Sequence, residues 1–466
     1  MTVKKQILLN AFNMNCVGHI NHGLWTHPRD TSADYKTLGY WTSLARTLER
    51  GLFDGIFIAD ITGVYDIYQG GIDLTAREAI QLPVNDPTVL VSGMAAVTEH
   101  LGFGITVNVN TEHPYTFARR FSTLDHLTGG RVGWNIVTGY LDSAARAVGQ
   151  EALTEHDTRY DRADEYLDLL YKLWEGSWAD DAVHRDRAAR VFTDPAKVRP
   201  VAHDGRFYRS HGYHLSEPSV QRTPVLYQAG TSGRGKQFAA RHAECVFISA
   251  PNTTVARETA RSLRELAVAY GRKPDDIKIF VGIAVVPDRS SAAAREKLAD
   301  YVRHANPEAG LAHFAASTGI DFSRYDPDEP VAYGPSNAIQ SATQLARKRG
   351  WTRRQLLGQL GLGGRHPVIV GDAVTVADEL ARWIDEGEID GFNLSRVVTP
   401  ETYEDFIDIV VPELQERGLY KTAYAEGSLR NRIFGEGNRL PARHAAGAYR
   451  FNAYRLPSAE ASGASS

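Results

Sequence analysis

Short apolar runs and longer amphipathic stretches alternate along almost the whole chain. "KQILLNAFN" at 5–13 is a β-rich opening run. "YWTSLARTLERG" at 40–51 changes period: Trp41, Leu44 and Leu48 share one helical face, and Gly51 supplies the stop. The same switch then recurs. "LFDGIFIAD", "FGITVNVN", "RVGWNIVTG", "TPVLYQAG", "ECVFISA", "IKIFVGIAVV" and "IDGFNLS" read as short buried strands. Helical patterns lie between or after them: "DPTVLVSGMAAVTEHLG", opened by Asp86 and Pro87, then "PYTFARRFSTLDHLTGG", "KQFAARHA", "VARETARSLRELAVAYGR", "AAAREKLADYVRHA", "VTVADELARWIDEG" and "TYEDFIDIVVPELQERG". The long helix "TEHDTRYDRADEYLDLLYKLWEG" places Ala163, Tyr166, Leu167, Leu170 and Leu173 along one side, and Thr154-x-x-Asp157 reads as its capping box.

The strands end near Asn13, Asp60, Asn108, Thr138, Gly230, Ala250, Val286 and Ser395. Eight βα units in series predict a closed (β/α)8 barrel, with a doubly wound open sheet plus a second domain as the alternative. Two stretches break the rhythm, near 177–222 and 306–366, and read as insertions into a single barrel spanning 1–440. From about 421 the pattern is irregular, and 441–466, ending "SAEASGASS", reads as a partly disordered tail. In a barrel, the residues that end the strands converge on one face and form the site.

Composition narrows the function classes. The 466 residues are 43% hydrophobic, ample for a large core, and the formal net charge of −4 provides no global field for nucleic acid or an anionic membrane. Two cysteines, Cys16 and Cys245, make no disulfide framework, so a reducing cytoplasm is the expected compartment. No signal peptide and no run of eighteen apolar residues is evident.

The stretch "YQAGTSGRGKQF" nearly spells a nucleotide-binding loop: Gly230 to Lys236 reads G-x-x-x-x-G-K, but Gln237 stands where an NTPase needs a Mg²⁺-ligating hydroxyl. A strand, a Gly-rich turn and a helix start can still hold a phosphate without metal; the plain alternative is a turn with no ligand. His156 and Tyr160 in "HDTRY" share a helix face, so Tyr160 can reach a phosphate or ribityl oxygen or simply pack under the insertion. Cys16, His19 and His22 have a spacing open to metal, yet no comparable cluster supplies a fourth ligand, and His19 can equally line a pocket. Asp60 ends a strand and either faces the site or caps the next loop, while Tyr65 and Tyr68 can wall an apolar cavity. No G-x-G-x-x-G lies on a strand–helix junction, which argues against a built-in NAD site.

The runs "AAVTEHLGFG", "ARRFSTLDHLTGGRVGWNIVT", "EHDTRYDRADEYLDLLYKLWEGSW", "FTDPAKV", "PSVQRTPVLYQAGTSGRGKQFAARHAE" and "DGFNL" resemble the bacterial-luciferase-like flavin monooxygenases, in the nitrilotriacetate and dibenzothiophene-sulfone monooxygenase branch. The resemblance runs from residue 5 to about 450. "NAFNMNCVGHINHGLWTHP" and "REAIQLPVNDP" look most like the branch's long-chain alkane monooxygenases, then its dimethyl-sulfide monooxygenases. It implies a (β/α)8 barrel that takes FMNH2 from a separate NAD(P)H:flavin reductase. It also implies reaction of the flavin with O2 to a C4a-(hydro)peroxyflavin that oxygenates a small, largely apolar substrate. On this resemblance Ala229, Gly230, Thr231 and Ser232 are phosphate contacts, with Tyr160 and His156 beside them. Asp60, Thr106, Thr138 and Gly139 surround the isoalloxazine and ribityl chain, and Cys16, His19, Tyr65, Gln81, Tyr140 and His313 line the substrate cavity. No metal is expected, nor a nucleic-acid or membrane partner; a homodimer or homotetramer is. Gly139 stands where the family run usually has Ser, and Tyr140 replaces the His of the alkane enzymes, changing the bulk and polarity of the cavity.

Overall fold

The computed structural model describes residues 5–331, 339 and 350–453. Its central element is a parallel sheet whose ends meet. We label the barrel strands β1 (Leu8–Met14), β2 (Gly55–Ala59), β3 (Gly102–Asn108), β4 (Val132–Val137), β5 (Val225–Gln228), β6 (Cys245–Ile248), β7 (Lys278–Pro287) and β8 (Gly391–Ser395). Each pairs in parallel with its sequence neighbours, and β8 pairs with β1, so the sheet closes. This is the (β/α)8 barrel, and the open-sheet alternative falls. One further short strand, Val368–Gly371, extends the C-terminal half of β7 on the outside.

Both faces of every barrel strand are buried, which is why the runs looked continuously apolar. Outward residues such as Ile56, Ile58, Phe103, Ile105, Trp134, Leu226 and Val246 join the core between strands and helices. Inward residues, Phe57, Val225, Tyr227, Phe247 and Phe280, fill the barrel itself. Their bulk is accommodated by inward glycines: a Cβ on Gly133 would sit 2.4 Å from the Tyr227 ring.

The helices follow their sequence signals with instructive exceptions. Leu38–Arg50 buries Trp41, Leu44, Ala45 and Leu48 and starts on the Thr37 cap. The long helix His156–Tyr171 buries the predicted side, but its cap is Glu155, whose carboxylate accepts from the Thr158 N–H at 2.9 Å, so the Thr154–Asp157 box is not formed. The stretch opened by Asp86 and Pro87 is helical only over Leu90–Ala95. There the Ala95 carbonyl accepts from Arg131 and the Met94 carbonyl from Thr98, so side chains satisfy the end of the helix.

The insertions are more regular than their sequences suggested. The first holds two antiparallel hairpins, 183–193 and 201–212. The second contains the helix Pro307–Thr318, capped by Asn306 and stopped by Gly319 at φ 75°, and the helix Arg353–Gln359. The chain beyond 421 also carries structure: the helix Leu429–Phe434 inserts Leu429 and Ile433 into the bottom of the barrel. The end of the tail, 454–466, lies outside the described residues. No helix among the described residues is long and apolar enough to cross a membrane.

Candidate active site

The C-terminal ends of the strands carry the polar groups. After β1 the chain makes a tight loop from Cys16 to Gly23. Arg396, the residue after β8, clamps it by donating to the Cys16 and Val17 carbonyls, both at 2.7 Å. Asn21 ties the loop to the second insertion: its Nδ2 donates to the Arg396 carbonyl at 2.7 Å, and its Oδ1 accepts from the Gly363 N–H at 2.6 Å. These bonds hold Ile20 at φ 58°, a left-handed conformation that strains a β-branched residue.

The six residues expected to line the substrate cavity come together around this loop. Tyr65 donates to Gln81 Oε1 at 2.6 Å, and its hydroxyl lies 3.0 Å from that of Tyr140. The His313 ring stacks on Tyr65 with centroids 5.0 Å apart, and its Nδ1 pairs with His22 Nε2 at 3.1 Å. The Gly18 carbonyl accepts from the Cys16 thiol at 3.1 Å and from the Gln81 N–H at 3.2 Å. His19 sits edge-on to Phe12, centroids 4.6 Å apart, with its Nδ1 buried and without a partner.

Burial sets the protonation of this half. It pushes the Cys16 thiol up to about 12, so the sulfur is no thiolate nucleophile. It holds the His22 imidazole down at about 3 and lowers His19 and His313 well below the ordinary range, helped for His19 by the Arg396 charge. All three rings are therefore neutral at pH 7. Cys16, His19 and His22 do not converge as ligands, since the thiol turns to Gly18 and His22 turns to His313. Among the described residues, His27, Asp300 and His304 bring three ligand-type atoms within 4.8 Å. Asp300 is already bonded to His27 at 3.1 Å and to Arg303 at 2.5 Å, an ion-pair network.

A second group lies at the ends of β2 to β5. Asp60 ends β2 half-buried, and burial together with the Asp86 charge raises its carboxyl to about 7. Thr106 accepts from Asn135 Nδ2 at 2.9 Å, and the Thr138 carbonyl accepts from Asn110 at 3.0 Å. Gly139 has φ 77°, and a Cβ there would meet Asn108 Nδ2 at 2.9 Å. Glycine thus suits this backbone.

The Gly-rich turn follows β5. Ala229 is exposed, Gly230 and Thr231 are half-buried, and Ser232 is buried. Ser232 caps the helix Gly233–His242, accepting from the Gly235 N–H at 3.0 Å. Its hydroxyl lies 3.4 Å from His156 Nε2, and the Tyr160 hydroxyl faces the same turn. A Cβ on Gly230 would sit 2.4 Å from that Tyr160 hydroxyl, so only glycine leaves the backbone open there. Neutral hydroxyl donors, free N–H groups at a helix start and the open backbone at Gly230 form a cradle that fits a phosphate ester and needs no metal. Lys236, the P-loop-like lysine, reaches Ser262 at 3.3 Å instead.

A family model described as luciferase-like monooxygenase matches residues 20–388. The chain belongs to the luciferase-like monooxygenase family. It is 49% identical over 453 residues to dimethyl-sulfide monooxygenase of Hyphomicrobium sulfonivorans, covering 96% of this chain and 94% of that protein. It is 48% identical to long-chain alkane monooxygenase of Geobacillus thermodenitrificans (strain NG80-2), covering 96% and 98%. The crystal structure of long-chain alkane monooxygenase superposes with a TM-score of 0.91 over 96% of this chain and all of that one, at 47% identity. The structure of riboflavin lyase with modified FMN and riboflavin gives the same TM-score of 0.91 at 37% identity, covering 96% and 100%.

In this luciferase-like monooxygenase, several residues at the mouth carried no sequence signal. Arg396 directly follows a strand end, so the strand-end rule alone could have flagged it. Arg365 and His366 come from the second insertion, where periodicity fails; His366 Nδ1 pairs with Ser395 Oγ at 2.9 Å. A cavity of about 280 Å³ at the opposite end of the barrel is walled by Glu244, Arg272, Arg430, Arg439 and His444. Its charges are largely paired with one another, and no strand presents its C-terminal end there, so we place the chemistry at the mouth.

Proposed function

We propose that this luciferase-like monooxygenase is the oxygenase of a two-component flavin system. It takes FMNH2 from a separate NAD(P)H:flavin reductase and uses O2 to oxygenate a small, largely apolar substrate, an alkane or organosulfur compound. The observation that carries this reading is the pairing, at one barrel mouth, of a phosphate cradle with a buried pocket whose histidine rings are neutral. FMNH2, when bound, supplies the electrons and the site of O2 activation.

The chain's own residues do the rest. Ser232, Tyr160 and the N–H groups opening Gly233–His242 hold the phosphate, with Ala229, Gly230 and Thr231 forming the turn and His156 supporting Ser232. Asp60, Thr106, Thr138 and Gly139 border the ribityl chain and ring. His19 offers a neutral imidazole that can hold or donate one proton where negative charge develops. Cys16, Tyr65, Gln81, Tyr140 and His313 wall the substrate. The helix Pro307–Thr318, packed with Tyr65, Leu74 and Ile80 in a second apolar core, covers the site and excludes water.

The test supplies FMNH2 through any competent reductase and screens an alkane, a dialkyl sulfide, a sulfone and an aminocarboxylate. Substrate-dependent O2 uptake with an oxygenated product is expected. Substrate oxidation that proceeds without O2 would make the protein a flavin- or deazaflavin-dependent dehydrogenase.

A further inference from the structure

The mouth holds a cation that the proposed reaction leaves without a task. Arg365 lies between two anchors: Gly363 donates to Asn21, and His366 pairs with Ser395. Its position is therefore fixed to the loop after β1 and to the end of β8. The guanidinium stands over the Phe314 ring, 5.9 Å from its centroid. Phe314 is the neighbour of His313, which stacks on Tyr65.

Arg365 makes no hydrogen bond or ion pair among the described residues, and its side chain is accessible. Protein nevertheless surrounds it: burial lowers its pKa, and its charge is felt by Tyr65, Tyr140, His313 and His366. The guanidinium is thus an accessible group at the edge of the cluster formed by Phe314, Tyr65 and His313. The contrast with the other enclosed arginines is sharp. Arg430 is bound by Glu244 and by backbone carbonyls, Arg222 by Asp180, and Arg396 by two carbonyls. A cation held partly out of water without a counter-charge is costly unless an anion arrives. The guanidinium fork matches a carboxylate or sulfonate in a bidentate manner, and it does so best where water is scarce.

We propose that Arg365 receives an anionic head group, so that the site takes an organic acid, carboxylate or sulfonate, whose apolar body lies against Phe314 and Tyr65. This rests on the oxygenase reading of the same mouth and narrows its substrate class. The neutral tyrosines and histidines around the pocket supply no second charge, so one acidic group suffices.

The probes are octanoate, octane-1-sulfonate and octan-1-ol, whose binding to the full-length flavin-free protein is followed by titration calorimetry. Wild-type protein should bind both acids about tenfold or more tighter than the alcohol. Arg365→Gln should erase that preference while leaving the alcohol unchanged, and Arg365→Lys should keep part of it. FMN affinity should stay within about twofold in both variants, because the phosphate cradle lies at the β5 turn. Equal binding of the alcohol and the acids by the wild type overturns the proposal, even if a variant fails to fold. Loss of FMN affinity in Arg365→Gln overturns it too, assigning the charge to the flavin. Selective acid binding in a protein that oxygenates nothing would spare the anion site and sink the oxygenase reading.

Discussion

At the N-terminal end of the barrel, Arg430 donates to both oxygens of Glu244, at 2.7 and 2.9 Å, and to the carbonyls of Thr223 and Pro224. Arg439 pairs there with Glu175 and Asp180, and Arg443 with Asp276. At the C-terminal end the same kinds of atoms stand open. His19 Nδ1, Asn135 Oδ1 and Gln228 Oε1 are buried without partners, Arg365 has no counter-ion among the described residues, and Asp60 keeps its proton to about pH 7. The bottom pairs these arginines with carboxylates of the same region, as a region serving stability does, although Arg272 Nε, Arg432 Nη2 and Arg439 Nε there are buried without a partner. The top keeps such groups open, as the reaction we propose there requires.

The largest effect that would break this contrast is at the bottom. Glu244→Ala leaves Arg430 buried and uncompensated, which should cost about 3–5 kcal/mol. Denaturant unfolding measures it, and the protein that remains folded should bind FMN normally. A loss below about 1 kcal/mol would mean that the bottom network is not structural.

At the top, His19→Phe should keep the cavity filled and remove one donor. Donors of this kind supply about 3–4 kcal/mol to the reaction. FMN affinity should stay within about threefold, while product per FMNH2 falls and hydrogen peroxide rises. Full coupling in the variant would leave His19 as a wall of the pocket.

Ser232→Ala should weaken FMN about tenfold to a hundredfold, or about 1.5–3 kcal/mol, and riboflavin far less. Stability should drop by only about 0.5–2 kcal/mol, the cost of losing the cap on Gly233–His242. Equal weakening of both flavins would take Ser232 off the phosphate.

A further effect is a pH dependence. Asp60 in the folded protein holds its proton up to about 7, whereas the unfolded chain releases it near the ordinary 3.8. Between those values the folded state binds more protons, so this carboxyl lowers stability as pH rises. Asp60→Asn removes that fall, and the melting temperature of the variant should gain on the wild type from pH 4 to pH 8. A constant difference across that range would show that the Asp60 carboxyl ionises normally.

The barrel was legible because each buried strand is a short apolar run with a polar or small residue at its end: Asn13, Asp60, Thr138 and Ser395 lie within one residue of the ends of β1, β2, β4 and β8. The strand-end rule also found the mouth, since Asp60, Thr138 and the Gly230 turn lie there. The cover was less legible. In "PEAGLAHFAAST" apolar and small residues occur on all sides, so no 3.6-residue stripe emerges, although Asn306, Pro307 and Gly319 mark both ends. The plug Leu429–Phe434 has six residues, too few for periodicity to register. Arg365 and Arg430 look alike in sequence; only the carboxylate of Glu244, 186 residues away from Arg430, separates the paired cation from the open one.

The central claim is that the open groups at the top serve oxygen transfer from O2 with FMNH2. The most direct measurement supplies FMNH2 and ¹⁸O2 to the wild-type protein with a turned-over substrate and weighs the product. One ¹⁸O atom per product molecule is the predicted result. A product that forms under argon, or that carries its new oxygen from water, would contradict it.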